Sequence, residues 1–213
     1  NQKSEILNKV NARNASSEDI NIISKCHINS FPSSFTSMLG IGFCQKMFTW
    51  YLNSNKRFLF YIELDNICIG YCGGMVGRGS ASAMTQYAMA RGFFSLLVRP
   101  WLWFHSSINK QRKLLAVNLY KKIFKSKIPT NSKKTNSDES VGLVVIGVHP
   151  DFQSMGIGTI LLKEFDKRVL ELNIKKAHLS VKTINNKAIG AYKKNGWEIT
   201  KYDSNSTHLQ KTY

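Results

Sequence analysis

The stretch HPDFQSMGIGTILL, His149 to Leu162, places two glycines two residues apart behind a glutamine and ahead of an apolar run. A helix starting near Gly156 would leave its first backbone N–H groups without intrahelical acceptors, and the partial positive charge of a helix start favours an anion there. Gly156 and Gly158 have no side chain to keep an anion from the backbone, while the Gln153 amide and the Ser154 hydroxyl add donors. The chemistry these residues permit is the holding of a phosphate. The loop is not a P-loop, because no Gly-Lys-Ser or Gly-Lys-Thr follows, and it lacks the GxGxxG of dinucleotide sites. Glycines that only let a helix pack on a strand would look the same, so the loop alone leaves both readings open.

The elements around it are those such a site needs. VGLVVIGVHP reads as an apolar strand stopped by Pro150, and residues 157, 161, 165, 169 and 172 form an apolar stripe at helical spacing. AHLSVK reads as a further strand, NNKAIGAYKKNGW as a helix closed by Gly196, and EITKYD and HLQKTY as final strands. Upstream, EILNKVNAR is expected to be a first strand. SSEDINIISKCHINSF is expected to be a helix capped by Ser16 or Ser17, with acids in its first turn and Ile20, Ile23, His27 and Ile28 on one face. FTSMLGIGFCQKMFTWYLNS reads as a second helix weakened by Gly40 and Gly42. KRFLFYIELDNICIGYCGGMV reads as a hairpin turning at Asp65-Asn66, where even spacing puts Cys68 and Cys72 on one face. The expected fold is α/β of the α+β type: a mixed, largely antiparallel twisted sheet flanked by helices, in one domain over 1–213, with an insertion at about 77–140.

Two motifs carry a family resemblance. Val148-x-Pro150-x-x-Gln153-x-x-Gly156-x-Gly158, followed by Leu161-Leu162, resembles the acetyl-CoA loop of the GCN5-related N-acetyltransferases (GNAT). Some thirty residues on, Asn185, Lys187, Ala188, Ile189, Tyr192, Lys194, Gly196 and Trp197 stand in register with that family's second motif, Trp197 in place of the commoner Phe. The resemblance is strong over 141–200, extends over 1–76, and is absent over most of 77–140. It implies a GNAT-like acyltransferase fold and acetyl-CoA as co-substrate. The strand Ile146, Gly147 and Val148 would splay from its neighbour and meet the pantetheine arm. The amides of Gln153, Ser154, Met155, Gly156, Ile157, Gly158 and Thr159 would wrap the pyrophosphate, and Asn185 would bond the arm. Tyr192 would lie by the thioester sulfur and protonate the leaving thiolate, a role suited to a phenol, whose ordinary pKa of about 10 keeps it protonated at neutral pH. The acceptor amine would attack the acetyl carbonyl directly, with the oxyanion held by strand N–H groups. For the base, Glu63, His149, Asp151 and His178 are candidates, a water chain being the alternative.

Composition sets the acceptor question. The net charge of +17 is uneven: Asn66 to Ser137 holds twelve Lys and Arg and no acid. Such a block attracts anions. RGFFSLLVRPWLWFHSSINKQRKLLAVNLYKKIFKSK mixes aromatics with cations. It fits a lid for a phosphorylated acceptor, a peripheral membrane patch, a nucleic-acid face, or plain core with solvated charges; nucleic acid is not favoured. FPSSFTSMLG, Phe31 to Gly40, resembles acetyltransferases found with glycan-assembly enzymes and points to an amino sugar or nucleotide-linked sugar. The expected function is acetyl transfer to a primary amine of a small acceptor. Peptide or protein acetylation, or a basic binding module on a vestigial acetyltransferase fold, are the alternatives. The four cysteines are expected as buried free thiols of a cytoplasmic protein, membrane-associated if the basic insertion meets lipid, with no metal site and with monomer or homodimer left open. Gly92 to Phe104, broken by Arg99 and Pro100, is too short to span a bilayer, and the first residues lack the apolar core of a secretory signal.

Overall fold

The computed structural model describes residues 10–77 and 140–213, together with Met84 and Tyr87. The helical insertion expected at about 77–140 therefore lies outside the described residues, apart from its two ends and those two side chains. One mixed sheet of seven strands organises the rest, in the order β1-β2-β3-β4-β5-β7-β6. These strands are β1 (Ala12–Asn14), β2 (Arg57–Leu64), β3 (Ile67–Val76), β4 (Val141–Val148), β5 (Lys176–Lys182), β6 (Glu198–Tyr202) and β7 (Ser206–Thr212). Every neighbouring pair is antiparallel except β4–β5.

The helices are α1 (Ile20–Ser30), α2 (Phe35–Met38), α3 (Ile41–Leu52), α4 (Ile157–Glu171) and α5 (Asn186–Lys194). They divide the core into two clusters. One collects Phe60, Ile69, Cys72, Ile157, Leu161, Phe165, Tyr192 and Trp197 under α4 and α5; the other collects Ile23, Cys26, Phe43, Phe48, Tyr51, Cys68 and Tyr71 under α1 and α3. Among the described residues no helix is long and apolar enough to cross a membrane, and no group of three His, Cys, Asp or Glu could hold a metal.

Several local expectations change. The Ser16 and Ser17 caps are not formed: Ser16 instead donates through N–H and Oγ to Asp19 Oδ2 at 2.8 and 2.7 Å, and the helix starts after Asp19. The second helix is broken in two, because Gly40 adopts φ 89°, which ends α2 and starts α3. Asp65 and Asn66 both take positive φ, 50° and 62°, as a tight two-residue hairpin turn requires. Cys68 and Cys72 fall in opposite clusters, not on one face. The β2–β3 register shifts between Ile62 and Glu63, leaving Ile69 as an extra residue on β3, and a bulge reverses the alternation of side chains. All four cysteines are free and buried. Leu172 caps α4 and is 43% exposed, outside the stripe assigned to it.

Three features bear on the site. A second bulge on β4 leaves Val144 unpaired, between Val145↔Gly73 and Leu143↔Gly74, and sets the facing of Ile146–Val148. The parallel pairing of β4 with β5 consists of Val141↔Ala177 and Gly142↔His178 only, whereas β5 pairs with β7 from Lys176 to Lys182. From Leu143 onward β4 has left β5, and the sheet opens as a wedge. Gly77 N–H donates to Ser140 O at 2.7 Å, which ties the end of the first described segment to the start of the second at a single point of the sheet. That point is the start of β4, about 25 Å along the strand from the loop after Val148.

Candidate active site

The wedge leads to the glycine loop. After β4 the chain makes one turn of 3₁₀ helix at Pro150–Phe152, then Ser154 and Gly156 take left-handed φ of 65° and 96° before α4 starts. Gln153 N–H donates to Pro150 O at 3.2 Å and Thr159 N–H to Gly156 O at 2.9 Å. Between them the amides of Ser154, Met155, Gly156, Ile157 and Gly158 have no acceptor among the described residues. Alternating left-handed and right-handed residues turn successive N–H groups toward one side, the concave arrangement that binds anions. Glycine is needed next door too. A Cβ on Gly70 of β3 would sit 2.9 Å from Ile157 Cγ2 and 3.0 Å from Leu161 Cδ1, so α4 lies hard on the sheet and its start is fixed at the end of β4.

The side chains assigned to this loop are partly committed elsewhere. Gln153 Nε2 donates to Val148 O at 3.3 Å, and its Oε1 accepts from Lys187 Nζ at 3.4 Å. Gln153 thus braces the strand end against α5 and brings a cation to the anion loop. Lys187 stands in register in the second motif, but its link to Gln153, 34 residues away, is legible only in the fold. Asn185 caps α5, its Oδ1 accepting from Ala188 N–H at 3.1 Å, which leaves Nδ2 to donate. Tyr192 is 8% exposed and packs edge-on to Trp197 at 6.1 Å. Its hydroxyl has no hydrogen-bond partner among the described residues, and burial pushes its pKa up, with Cys72 nearby adding to the shift. The phenol therefore keeps its proton well above neutral pH.

The other side of β4 is held by α1. Ser30 Oγ donates to Val148 O at 2.9 Å and Asn29 Nδ2 lies 3.1 Å from His149 Nε2. Tyr71 reaches across from β3 over Gly147, where a Cβ would fall 2.6 Å from its Cε1 and its hydroxyl. That hydroxyl lies 2.5 Å from His27 Nδ1, and His27 Nε2 is 2.9 Å from Thr36 Oγ1. Burial lowers the His27 pKa to about 4, so the ring is neutral and shares protons with two hydroxyls. The sequence does not point to Asn29, Ser30 and Tyr71: their partners, His149 and the β4 residues Val148 and Gly147, are 76 to 120 residues away. The bare Gly147 on an apolar strand was the one hint that something large crosses it.

The four candidate bases separate by position. Glu63 is on β2, two strands from β4, and takes bonds from Arg13 Nη1 at 3.1 Å and Tyr61 Oη at 3.3 Å. His178 stands opposite Gly142, where the wedge is still closed. Asp151 is exposed on the 3₁₀ turn, and His149 stands between the end of β4 and that turn.

Comparison with known proteins gives the class. Residues 109–197 match the acetyltransferase (GNAT) family. The chain superposes on the PaiA N-acetyltransferase of Thermoplasma acidophilum in complex with coenzyme A, with a TM-score of 0.58 at 13% identity, covering 96% of this chain and 99% of that one. It superposes on Arabidopsis thaliana NAA60 in complex with acetyl-CoA with a TM-score of 0.57 at 15% identity, covering 96% and 98%. The fold is that of the GNAT acetyltransferases. In sequence, an acetyltransferase of Pectobacterium atrosepticum is 38% identical over 53 residues, 25% of this chain. That match spans 38% of the length of the curated relative. Both motifs of the site lie within the segment 109–197 that matches the acetyltransferase (GNAT) family.

Proposed function

We propose that this protein transfers an acetyl group from acetyl-CoA to a primary amine of a small acceptor. The observation that carries the reading is the opening of β4 from β5 onto five unsatisfied amides, Ser154 to Gly158. A diphosphate answers that concavity, with the Lys187 ammonium beside it, and an extended arm fits a wedge edged by strand backbone. The backbone of Ile146, Gly147 and Val148 takes the arm, Asn185 Nδ2 donates to it, and the thioester comes to rest near Tyr192. The amine attacks the carbonyl carbon, the C–S bond breaks, and the Tyr192 hydroxyl gives its proton to the sulfur. With no acceptor for its hydroxyl among the described residues and a raised pKa, Tyr192 is a protonated donor awaiting an acceptor. The twelve cations without an acid between Asn66 and Ser137 favour an acceptor bearing phosphate, an amino sugar or nucleotide-linked sugar being the class that combines phosphate and amine.

Thermal unfolding with and without millimolar acetyl-CoA tests the reading. Ligand at 100 times its Kd stabilises by about 2.7 kcal/mol, a rise of a few degrees in Tm. No rise overturns acetyl-CoA as co-substrate. Thiol release from acetyl-CoA across phosphorylated and unphosphorylated amines then identifies the acceptor class.

A further inference from the structure

The acceptor amine needs a way in, and the described residues leave one. Tyr192 lies near Cys72, which pairs with Ile146, so a thioester resting by the phenol stands at the level of Ile146 on β4. On the face of the sheet that carries Tyr192, α4 and α5 close the core. On the opposite face α1 and α3 cover β2, β3 and β4, and no residue of that second cluster comes from β5, β6 or β7. Alternation settles which side chains those strands show there. Ala177, Leu179 and Val181 of β5 and Leu209 of β7 belong to the cluster under α4, so Ser180, Lys182, His208 and Gln210 point to the uncovered face. Register then sets them against the opening. The last β4–β5 pair is Gly142↔His178, and with Val144 bulged out, Ile146 comes level with Val181, between Ser180 and Lys182.

We propose that this face is the acceptor platform: Lys182 holds an anionic group, Ser180 and Gln210 bond hydroxyls, and the amine reaches over the edge of β5 to the thioester. The proposal rests on the acetyl-transfer reading above and adds the residues that choose the acceptor. Ser180 and Lys182 are exposed, and neither they nor Gln210 have a side-chain partner among the described residues. His208, the cross-strand neighbour of Ser180, is already committed. Its Nε2 lies 2.7 Å from Asp203 Oδ2, and the other oxygen of that carboxylate takes Lys201 Nζ at 2.6 Å. Those two bonds hold the Asp203 carboxyl below its usual range, so its charge is answered and Lys182 is left as the cation beside the opening. A hydroxyl and an amide each donate and accept, which suits Ser180 and Gln210 to a polyol, whereas an ammonium without a carboxylate suits a phosphate. The class that brings hydroxyls, phosphate and amine together is a phosphorylated amino sugar. An unphosphorylated polyamine would meet Lys182 with like charge.

The test compares wild type, K182A, S180A, Q210A and K167A, the last removing the same charge from an exposed lysine of α4 on the far face. All five proteins should keep their Tm and its rise with acetyl-CoA, which shows the fold and the donor site intact. Acetylation is then measured on glucosamine 1-phosphate, glucosamine, 2-aminoethyl phosphate and spermidine. Wild type should favour glucosamine 1-phosphate. K182A should lose about 10–100-fold in kcat/KM on both phosphates, mostly through KM, and change little on glucosamine. S180A and Q210A should lose about three- to tenfold on both sugars and little on 2-aminoethyl phosphate. K167A should match wild type on all four amines. Equal losses in K182A and K167A would reduce the effect to long-range charge and overturn the platform. So would a K182A that keeps the wild-type preference for phosphate, sugar kinetics unchanged in S180A and Q210A, or a wild type that favours spermidine. Each of these leaves acetyl transfer standing. If wild type acetylates none of the four amines, the transfer reading fails and this proposal with it.

Discussion

The two sides of β4 do their work with different material. Toward α4 and α5 the groups are mostly backbone: five amides, two left-handed residues and a glycine against the sheet, with Tyr192 as the side chain proposed to react. Toward α1 the groups are nearly all side chains: Ser30 on Val148 O, Asn29 on His149, and Tyr71 over Gly147 backed by His27 and Thr36. Backbone donors suit a ligand that never varies, because replacing side chains leaves them in place. Side-chain donors suit a face that must be specific, because each can be exchanged without refolding the loop. The donor side should therefore respond to substitution chiefly where conformation or the phenol is touched, and the α1 side wherever a polar pair is broken.

The largest expected effect breaks this symmetry on the donor side. Tyr192→Phe removes one oxygen that has no partner among the described residues, so stability should change by less than about 1 kcal/mol. Loss of the proposed general acid should lower kcat about 10²–10⁴-fold while the acetyl-CoA Kd stays within about threefold. Steady-state kinetics with calorimetric Kd values checks both. Equal kcat in the variant would remove Tyr192 from the chemistry and leave it as packing against Trp197.

The α1 side offers a pH-dependent counterpart. Burial holds His27 at about 4 in the folded state, against about 6.5 unfolded. A depressed histidine is neutral in both states above pH 6.5 and costs nothing there. As the pH falls from 6.5 toward 4 the unfolded chain binds the proton first, so stability is lost across that window, by about 3 kcal/mol in full. Urea unfolding at pH 7, 5.5 and 4.5 should show this slope in wild type. His27→Gln should be less stable at pH 7, having broken the contacts to Tyr71 and Thr36, but should lose less on acidification. A slope that survives the substitution would assign the acid sensitivity to another group.

The same contrast explains what could be read without coordinates. The loop and the second motif are contiguous runs in which spacing and residue type state the geometry, and the strand–loop–helix from Val141 to Glu171 was legible to within a residue or two. The wedge, by contrast, is a statement about where pairing between β4 and β5 stops, which no local pattern carries. The bulges at Ile69 and Val144 are equally silent, since one extra residue changes no propensity but turns Cys68 and Cys72 to opposite faces. The clamp from α1 joins residues more than a hundred positions apart. Gly40 was visible as a weakness and is in fact a break, because its left-handed φ cannot continue a helix.

The smallest effect asks how far the donor side depends on backbone alone. Ser154 is a residue with a side chain held at φ 65°, a conformation that costs roughly 1 kcal/mol and that glycine adopts freely. Ser154→Gly relieves that cost, but it also frees the unfolded chain by about 0.5–1 kcal/mol, so the two terms nearly cancel. Stability should stay within about 0.5 kcal/mol of wild type. Any loss of acetyl-CoA affinity then belongs to the hydroxyl. One hydrogen bond to a phosphate oxygen contributes about 1.5–3 kcal/mol, a drop of roughly tenfold or more in affinity. A Kd unchanged in Ser154→Gly would mean that the five amides hold the diphosphate without it. Ser154 would then be a residue whose φ is set by the loop, and the donor side would be backbone throughout.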